Sequence, residues 1–275
     1  MSRRAGWAVS PVVAGLFVYP VKSCGGVEVE RIEVDAFGFR DDRRWMIVDE
    51  VGHFLTQRTV PLLATVRVGL SDDRFSLRSS GWDDLDLDAF PDEASAEPVT
   101  VWRDTVDALP VGEEADAWLT SVLGRPARLV WMPQASVRPA KRDPAGILPR
   151  ISFADAYPFL VISRESLGAL NARLVKPLPM DRFRPNIVVE DAGPFAEDGW
   201  TRFRIGAVEF DVAGPCARCA TTTTDQETGA RGVEPLRTLA TFRREGNEVM
   251  FGQNAIHRGP GEIRIGDPVE VLESR

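Results

Sequence analysis

GPCARCATTTTD, residues 214–225, carries two of the chain's three cysteines, an arginine between them and four consecutive threonines. Gly214-Pro215 reads as a rigid turn that puts the cysteine pair on an exposed loop. The β-branched threonines favour a strand over a helix. Four chemistries compete for the pair Cys216 and Cys219. Structural zinc needs four ligands, typically from two such pairs, and only Cys24, His53 and His257 are left to supply them, far apart in sequence. A thioredoxin-like redox pair sits at a helix N-terminus, whose dipole lowers the thiol pKa, and the threonine run argues against that helix. Two buried cysteines would act as small apolar residues. Arg218 between them disfavours this, because a buried guanidinium needs an anionic partner. The fourth reading is a single thiolate ligating a soft metal carried by an anionic organic cofactor. Such a cofactor calls for Arg and Lys from elsewhere in the chain.

Composition narrows the field. At 275 residues the chain is long enough for one large domain or two small ones. Hydrophobic content of 44% and charged content of 27% are those of a soluble globular protein. A net charge of −8 argues against a general nucleic-acid binder, which needs a basic surface, and makes any local cation cluster stand out. Three cysteines are too few for a disulfide framework, so a reducing, cytoplasmic location is expected. Two histidines argue against a multi-histidine metal site or a long imidazole relay. The N-terminal MSRRAGWAVSPVVAGLFVYP has a signal-peptide flavour. Pro11 interrupts its apolar stretch and no A-x-A site comes after it, so a loose tail leading into a first strand is expected. No stretch reaches the ~18 apolar residues of a membrane span, and no membrane partner is expected.

The first half reads mostly as strands. GVEVERIEVDAFG alternates with period two, RRWMIVDEVGHFLTQR reads as a hairpin turning at 49–52, and LATVRVGLSDDRFSLRS as another turning at 71–73. GEEADAWLTSVLG is a helix with Trp118, Leu119, Val122 and Leu123 on one face and Gly124 as its stop. Residues 133–149 break all periodicity with four prolines, as a connection between domains or a functional loop. Beyond them, PFLVIS leads to Ser163 as N-cap of a helix bearing Leu167, Leu170 and Leu174. RPNIVVED reads as a buried strand, and TRFRIGAVEFDVAG as a hairpin about Gly206-Ala207. VEPLRTLATFRR reads as a helix with Pro235 in its first turn, and GEIRIGDPVEVLES as two strands about Gly266-Asp267. Short, closely spaced strands with few helices predict β-rich barrels or sandwiches with helices outside.

Candidate cations lie in three segments. YPVKSC puts Lys22 and Ser23 on a turn after a strand. RDDRRW puts Arg43 and Arg44 at the start of a strand, where neighbours face opposite sides, so that one can point inward. RFRPNIVV puts Arg184 and Asn186 at the mouth of an apolar strand, a common place for ligand sites. In isolation each reads as readily as a solvent lysine, a patch paired with Asp41 and Asp42, or a capping salt bridge.

Taken together, LFVYPVKSCGG, DRRWMIVD, FADAYPFLVIS, FRPNIVV, PCARCATTTTDQETG, PLRTL, FGQN and GEIRIGDPVEVL resemble, in this order, the MOSC-domain family, named for the C-terminal domain of molybdenum cofactor sulfurases. The resemblance spans residues 14–272 and extends to the amidoxime-reducing branch with its bacterial relatives. It implies a β-rich α+β fold: an N-terminal β-barrel-like MOSC domain over 12–132, a connecting loop over 133–150, and the MOSC β-barrel domain over 151–275, with few peripheral helices. It implies that Cys219 ligates molybdenum, with Cys216 a neighbour, and that the cofactor is molybdenum bound to molybdopterin. Residues at the family's cofactor-contact positions are Lys22, Ser23, Arg43, Asp155, Arg184, Ala217, Arg218 and Asn254. Lys22, Arg43, Arg184 and Arg218 would offset the charge of the phosphate and dithiolene, and Ser23 with backbone N–H groups would complete a phosphate cradle.

The activity implied is reduction of small N-hydroxylated compounds at the N–O bond, with electrons from an external electron-transfer protein. Asp155 and Asp225 lie near the motif segments and are candidates for proton delivery. The resemblance leaves open a second class, a sulfur carrier or cofactor-delivery protein using a Cys219 persulfide. Ala156 and Ala217 stand where relatives can carry hydroxyls. Neither a membrane anchor before the first strand, nor a ferredoxin-type domain after residue 275, nor a pyridoxal-phosphate lyase domain is expected.

Overall fold

The computed structural model describes residues 10–71, 74–88, 90–91, 96–141, 146 and 150–275. The signal-peptide-like stretch up to residue 9, the Asp72-Asp73 tip of the second hairpin and most of 142–149 lie outside the described residues.

The apolar runs of the second half build the largest sheet. Its strands lie in the order Val269–Ser274, Trp200–Ile205, Val208–Ala217, Glu248–His257, Phe159–Ser163, Ile187–Glu190, Val12–Val18 and Val27–Val29, with Arg244–Glu245 paired to the side of Glu248–His257. Phe159–Ser163 and Ile187–Glu190 pair in parallel. Parallel neighbours need a crossover connection, and it contains the helix Arg164–Asn171, whose N-cap Ser163 accepts from the Ser166 amide as its residue type predicts. Leu174 falls beyond the helix end but still packs on the apolar cluster around Leu170 and Phe251.

The first half forms two further sheets. One runs Trp45–Val48, Arg128–Trp131, Asp104–Pro110, Glu97–Val101; the other runs Arg67–Ser71, Arg74–Arg78, Leu85–Asp88. The helix Glu113–Leu123 buries Ala115, Leu119, Val122 and Leu123 against them and stops at Gly124 in the left-handed region, φ 64°. Strand content and few helices match the β-rich expectation.

The two halves of the sequence interlock in space. Val12–Val18 hydrogen-bonds to Ile187–Glu190, and Arg31–Asp35 pairs with Gly261–Arg264. Val13, Leu16, Val18, Val34 and Phe39 therefore share one core with Phe159, Phe203, Phe210 and Ile263. The period-two run GVEVERIEVD divides at Glu30 between two sheets.

Local expectations fail at three places. Gly214-Pro215 is no turn: both residues lie inside the strand Val208–Ala217. Proline cannot donate to a ladder and is tolerated there at a bulge, and the register against Glu248–His257 shifts at Val212/Gly214 and again at Pro215/Ala217. The threonines form a 3-10 turn, Ala220–Thr223, not a strand. Their hydroxyls satisfy local carbonyls, Thr222 donating to Cys219 O at 2.9 Å and Thr223 to Ala220 O at 2.8 Å, an option that β-propensity ignores. The helix after Pro235 is a single turn, Leu236–Leu239, with Pro235 as its N-cap. The two strands expected about Gly266-Asp267 are present, Gly261–Arg264 and Val269–Ser274, and each pairs with a different partner.

Candidate active site

The two bulges re-aim the end of a strand, a common use of such irregularities. They carry Cys216, Ala217, Arg218 and Cys219 to the wall of a cavity of about 1050 Å³. Cys219 is half-buried. Arg58 Nε donates to its sulfur at 3.2 Å, and the Thr221 hydroxyl lies 3.4 Å away. Burial alone would push this thiol up. Hydrogen bonding with Thr221 and the charge of Arg58 outweigh it and lower the group's pKa from the ordinary thiol value. Cys24 is fully buried and pushed up to about 12. Iodoacetamide at neutral pH should therefore label Cys219 and leave Cys24 unmodified in folded protein, as read by peptide mass mapping. Labelling of Cys24 at an equal rate would contradict the electrostatics.

The predicted cations arrive from three other segments. Lys22 is buried and donates to Phe153 O at 2.7 Å and to Asp155. Burial lowers its pKa, against the opposing pull of Asp155. Arg43 and Arg184 both adopt left-handed backbone, φ 51° and 55°. Their guanidinium carbons sit 4.7 and 4.2 Å from the ring centre of the buried Tyr19. Arg43 pairs with the buried Asp42 and donates to Asn186 Oδ1 at 3.0 Å. Arg184 donates to Cys24 O at 2.6 Å, while its Nη2 is buried without an acceptor. Arg218 donates to Cys216 Sγ at 3.0 Å and to Phe183 O at 2.6 Å, and its Nε is likewise buried and unpaired.

Gly26 makes the Tyr19 arrangement possible. A Cβ there would lie 2.5 Å from Tyr19 Cε1. The ring cannot yield, being buried between two arginines with its hydroxyl on Pro185 O at 3.0 Å. Gly26→Ala is expected to cost about 1–3 kcal/mol, the usual overpacking penalty, measurable by denaturant unfolding.

The expected ligand and all the expected cofactor-contact residues line this one cavity: Lys22, Ser23, Arg43, Asp155, Arg184, Ala217, Arg218, Cys219 and Asn254. Asn254 donates to Pro215 O at 3.3 Å. Arg44 does not line it; it turns to the other side, over the Phe37 ring at 4.3 Å. Asp225 is also absent from the wall. Its Oδ1 accepts from the Glu227 and Thr228 amides and the Thr228 hydroxyl, which fixes a surface loop. Asp155 is held well below the carboxylate range. Burial opposes this, but Lys22 above all, with Arg58 and Trp102, prevails. Of the two aspartates expected near the site, Asp155 lies in the wall paired with Lys22 and Arg58, and Asp225 lies outside it.

Three wall residues carried no sequence signal. Arg58 and Trp102 sit in segments without a motif, and Arg138 lies in the proline-rich connection. Arg138 is buried, held by Asp104 at 2.7 Å and Ser152 O at 2.9 Å, so that residues 138–141 of that connection form part of the cavity wall. Among the described residues, eight cationic side chains face three carboxylates in the lining, against a net charge of −8 for the whole chain. The cavity suits an anionic ligand. Among the described residues no group of three or more His, Cys, Asp or Glu could hold a metal ion. A metal at Cys219 must bring its other ligands with it.

Residues 10–126 match the MOSC N-terminal beta barrel domain and residues 149–270 match the MOSC domain. The mitochondrial amidoxime-reducing component 1 of Homo sapiens is 35% identical over 279 residues, covering 94% of this chain and 82% of that protein. The chain belongs to the MOSC-domain family. The molybdenum cofactor sulfurase of Danio rerio is also similar, 32% identical over 90% of this chain, which spans 32% of that larger protein. The YUAD protein of Bacillus subtilis aligns over 95% of both chains at 9% identity, with a TM-score of 0.41. In this MOSC chain the two matched regions meet at the cavity: Lys22, Arg43 and Arg58 come from the first, and Arg184, Arg218 and Cys219 from the second.

Proposed function

We propose that the chain is a molybdenum-cofactor-dependent oxidoreductase that reduces N-hydroxylated compounds, with Cys219 as the protein's ligand to molybdenum. The observation that carries this reading is the pairing of one half-buried thiol of lowered pKa with buried guanidinium donors, Arg184 Nη2 and Arg218 Nε, that have no acceptor within the protein. Buried donors without partners are costly. A phosphate-bearing pterin supplies acceptors for them and a soft metal for the sulfur. The names of similar proteins support the same chemistry.

Bound there, the cofactor would supply two-electron reduction of an N–O bond, with electrons from an external electron-transfer protein. The chain's own part is ligation, charge and orientation. Arg43, Arg184 and Arg218 offer planar forks to phosphate oxygens. Lys22, fixed by Phe153 O and Asp155, adds a point charge, and the Ser23 hydroxyl adds a further donor. Asp155, being ionised, orients Lys22 and Arg58 and leaves proton delivery to solvent.

Full-length protein from a cofactor-competent host should contain molybdenum by mass spectrometry and reduce benzamidoxime with a chemical electron donor. Metal without turnover would leave a cofactor carrier. Absence of metal would sink the molybdoenzyme.

A further inference from the structure

Arg58 is fixed more firmly than a screening charge requires. Its amide donates to the Thr56 hydroxyl at 3.1 Å, and Arg231 Nη2 reaches back to the carbonyls of Gln57 and Arg58. Its guanidinium carbon lies 4.3 Å from the centre of the Trp102 ring, and its Nη2 lies 3.4 Å from Asp155 Oδ2. With those three sides held, its Nε points at the Cys219 sulfur at 3.2 Å.

Trp102 is held with comparable care. It occupies a two-residue turn between Glu97–Val101 and Asp104–Pro110, at φ 57°. A bulky side chain in the left-handed region is strained and persists where the surroundings impose it. Its Nε1 donates to Asp155 Oδ1 at 3.2 Å, and its ring packs on Phe54 at 4.8 Å. One carboxylate thus braces both the tryptophan and the arginine that lies on it.

We infer that Arg58 is a positioning residue which orients the Cys219 thiolate and weakens its electron donation through an Nε–H···S hydrogen bond, with Trp102 as the platform that holds the guanidinium in place. This rests on the reading of Cys219 as a metal ligand. Hydrogen bonds to ligating sulfurs stabilise the more electron-rich state of a metal centre and raise its reduction potential. Removing this one should lower it. A lysine at 58 keeps the charge but has neither a planar face for Trp102 nor a fixed Nε–H direction.

The test has two arms on the full-length chain. In cofactor-free protein, the arginine side-chain NMR spectrum should contain an Arg58 Nε–H, assigned by its loss in Arg58→Gln, protected from solvent exchange. The protection should vanish in Cys219→Ala and in Trp102→Ala. In metal-loaded protein, Arg58→Gln should keep wild-type molybdenum content, shift its sulfur-to-metal absorption band and move its midpoint potential negative. Arg58→Lys should resemble Arg58→Gln, Trp102→Ala should move the same way, and Trp102→Phe should stay near wild type. Should Arg58→Gln fail to fold, Trp102→Ala gives the same reading. An Nε–H that exchanges as fast as those of surface arginines overturns the proposal, as does an unchanged band and potential at full metal content. Wild-type protein that binds no metal overturns the ligand reading and the tuning with it, even if the Nε–H is protected.

Discussion

Cys219→Ala protein from a host that makes the molybdenum cofactor is expected to carry metal at background level while folding as well as the wild type. The ligand inventory is the reason for the loss: among the described residues no cluster of His, Cys, Asp or Glu could take over. Folding should survive because the Cys219 side chain is half-exposed and caps no helix through its sulfur. Changes at such sites usually stay within about 0.5 kcal/mol. Cys216→Ala is the matched control. Cys216 packs beside the Phe183 and Phe251 cluster and accepts from Arg218, so its removal should leave metal bound. Metal retained in Cys219→Ala but lost in Cys216→Ala would reverse the assignment. Metal lost from both, with unfolding, would make the pair structural.

How much of this is legible in the sequence depends on the range of the signal. Ser163 as N-cap, Gly124 as a helix stop and the Gly206-Ala207 hairpin are local, and the chain obeys them. Gly214-Pro215 obeys a longer-range demand. Its neighbours are held in a sheet by Glu248–His257, forty residues away in sequence, and the dipeptide yields as a bulge. The threonine run departs from its propensity for a different reason, since hydroxyl-to-carbonyl bonds within four residues outweigh β-branching. The site is legible only through family resemblance. Nothing local distinguishes Arg43, which faces the cavity, from Arg44, which does not; the left-handed backbone at Arg43 decides it. Arg58 and Trp102 have no motif to reveal them, because their meaning lies in a contact between residues 58, 102, 155 and 219.

Arg184→Met should separate ligand binding from stability, with opposite signs. Among the described residues Arg184 has no carboxylate within salt-bridge distance. Burial lowers its pKa, and Arg43 across Tyr19 adds repulsion. A guanidinium so placed is a liability to the metal-free fold, offset by Tyr19, the Cys24 carbonyl and the more distant charge of Asp42. Replacing buried charge with an apolar side chain of similar reach is often neutral or stabilising, and methionine can still pack on the tyrosine ring. The cofactor-free variant is therefore expected to melt no lower than wild type, and to melt higher if desolvation outweighs the lost bond to Cys24. Cofactor retention should fall the other way. A hydrogen bond to a charged group contributes about 1.5–3 kcal/mol, which corresponds to roughly 10- to 150-fold weaker binding. Arg184→Lys should recover little, for want of a planar fork. The measurements are calorimetric melting of cofactor-free protein and molybdenum and pterin content after equal dialysis. If melting temperature and cofactor content fell together, Arg184 would be holding the fold rather than the ligand. If both stayed at wild-type values, the unpaired Nη2 would have no anion to meet.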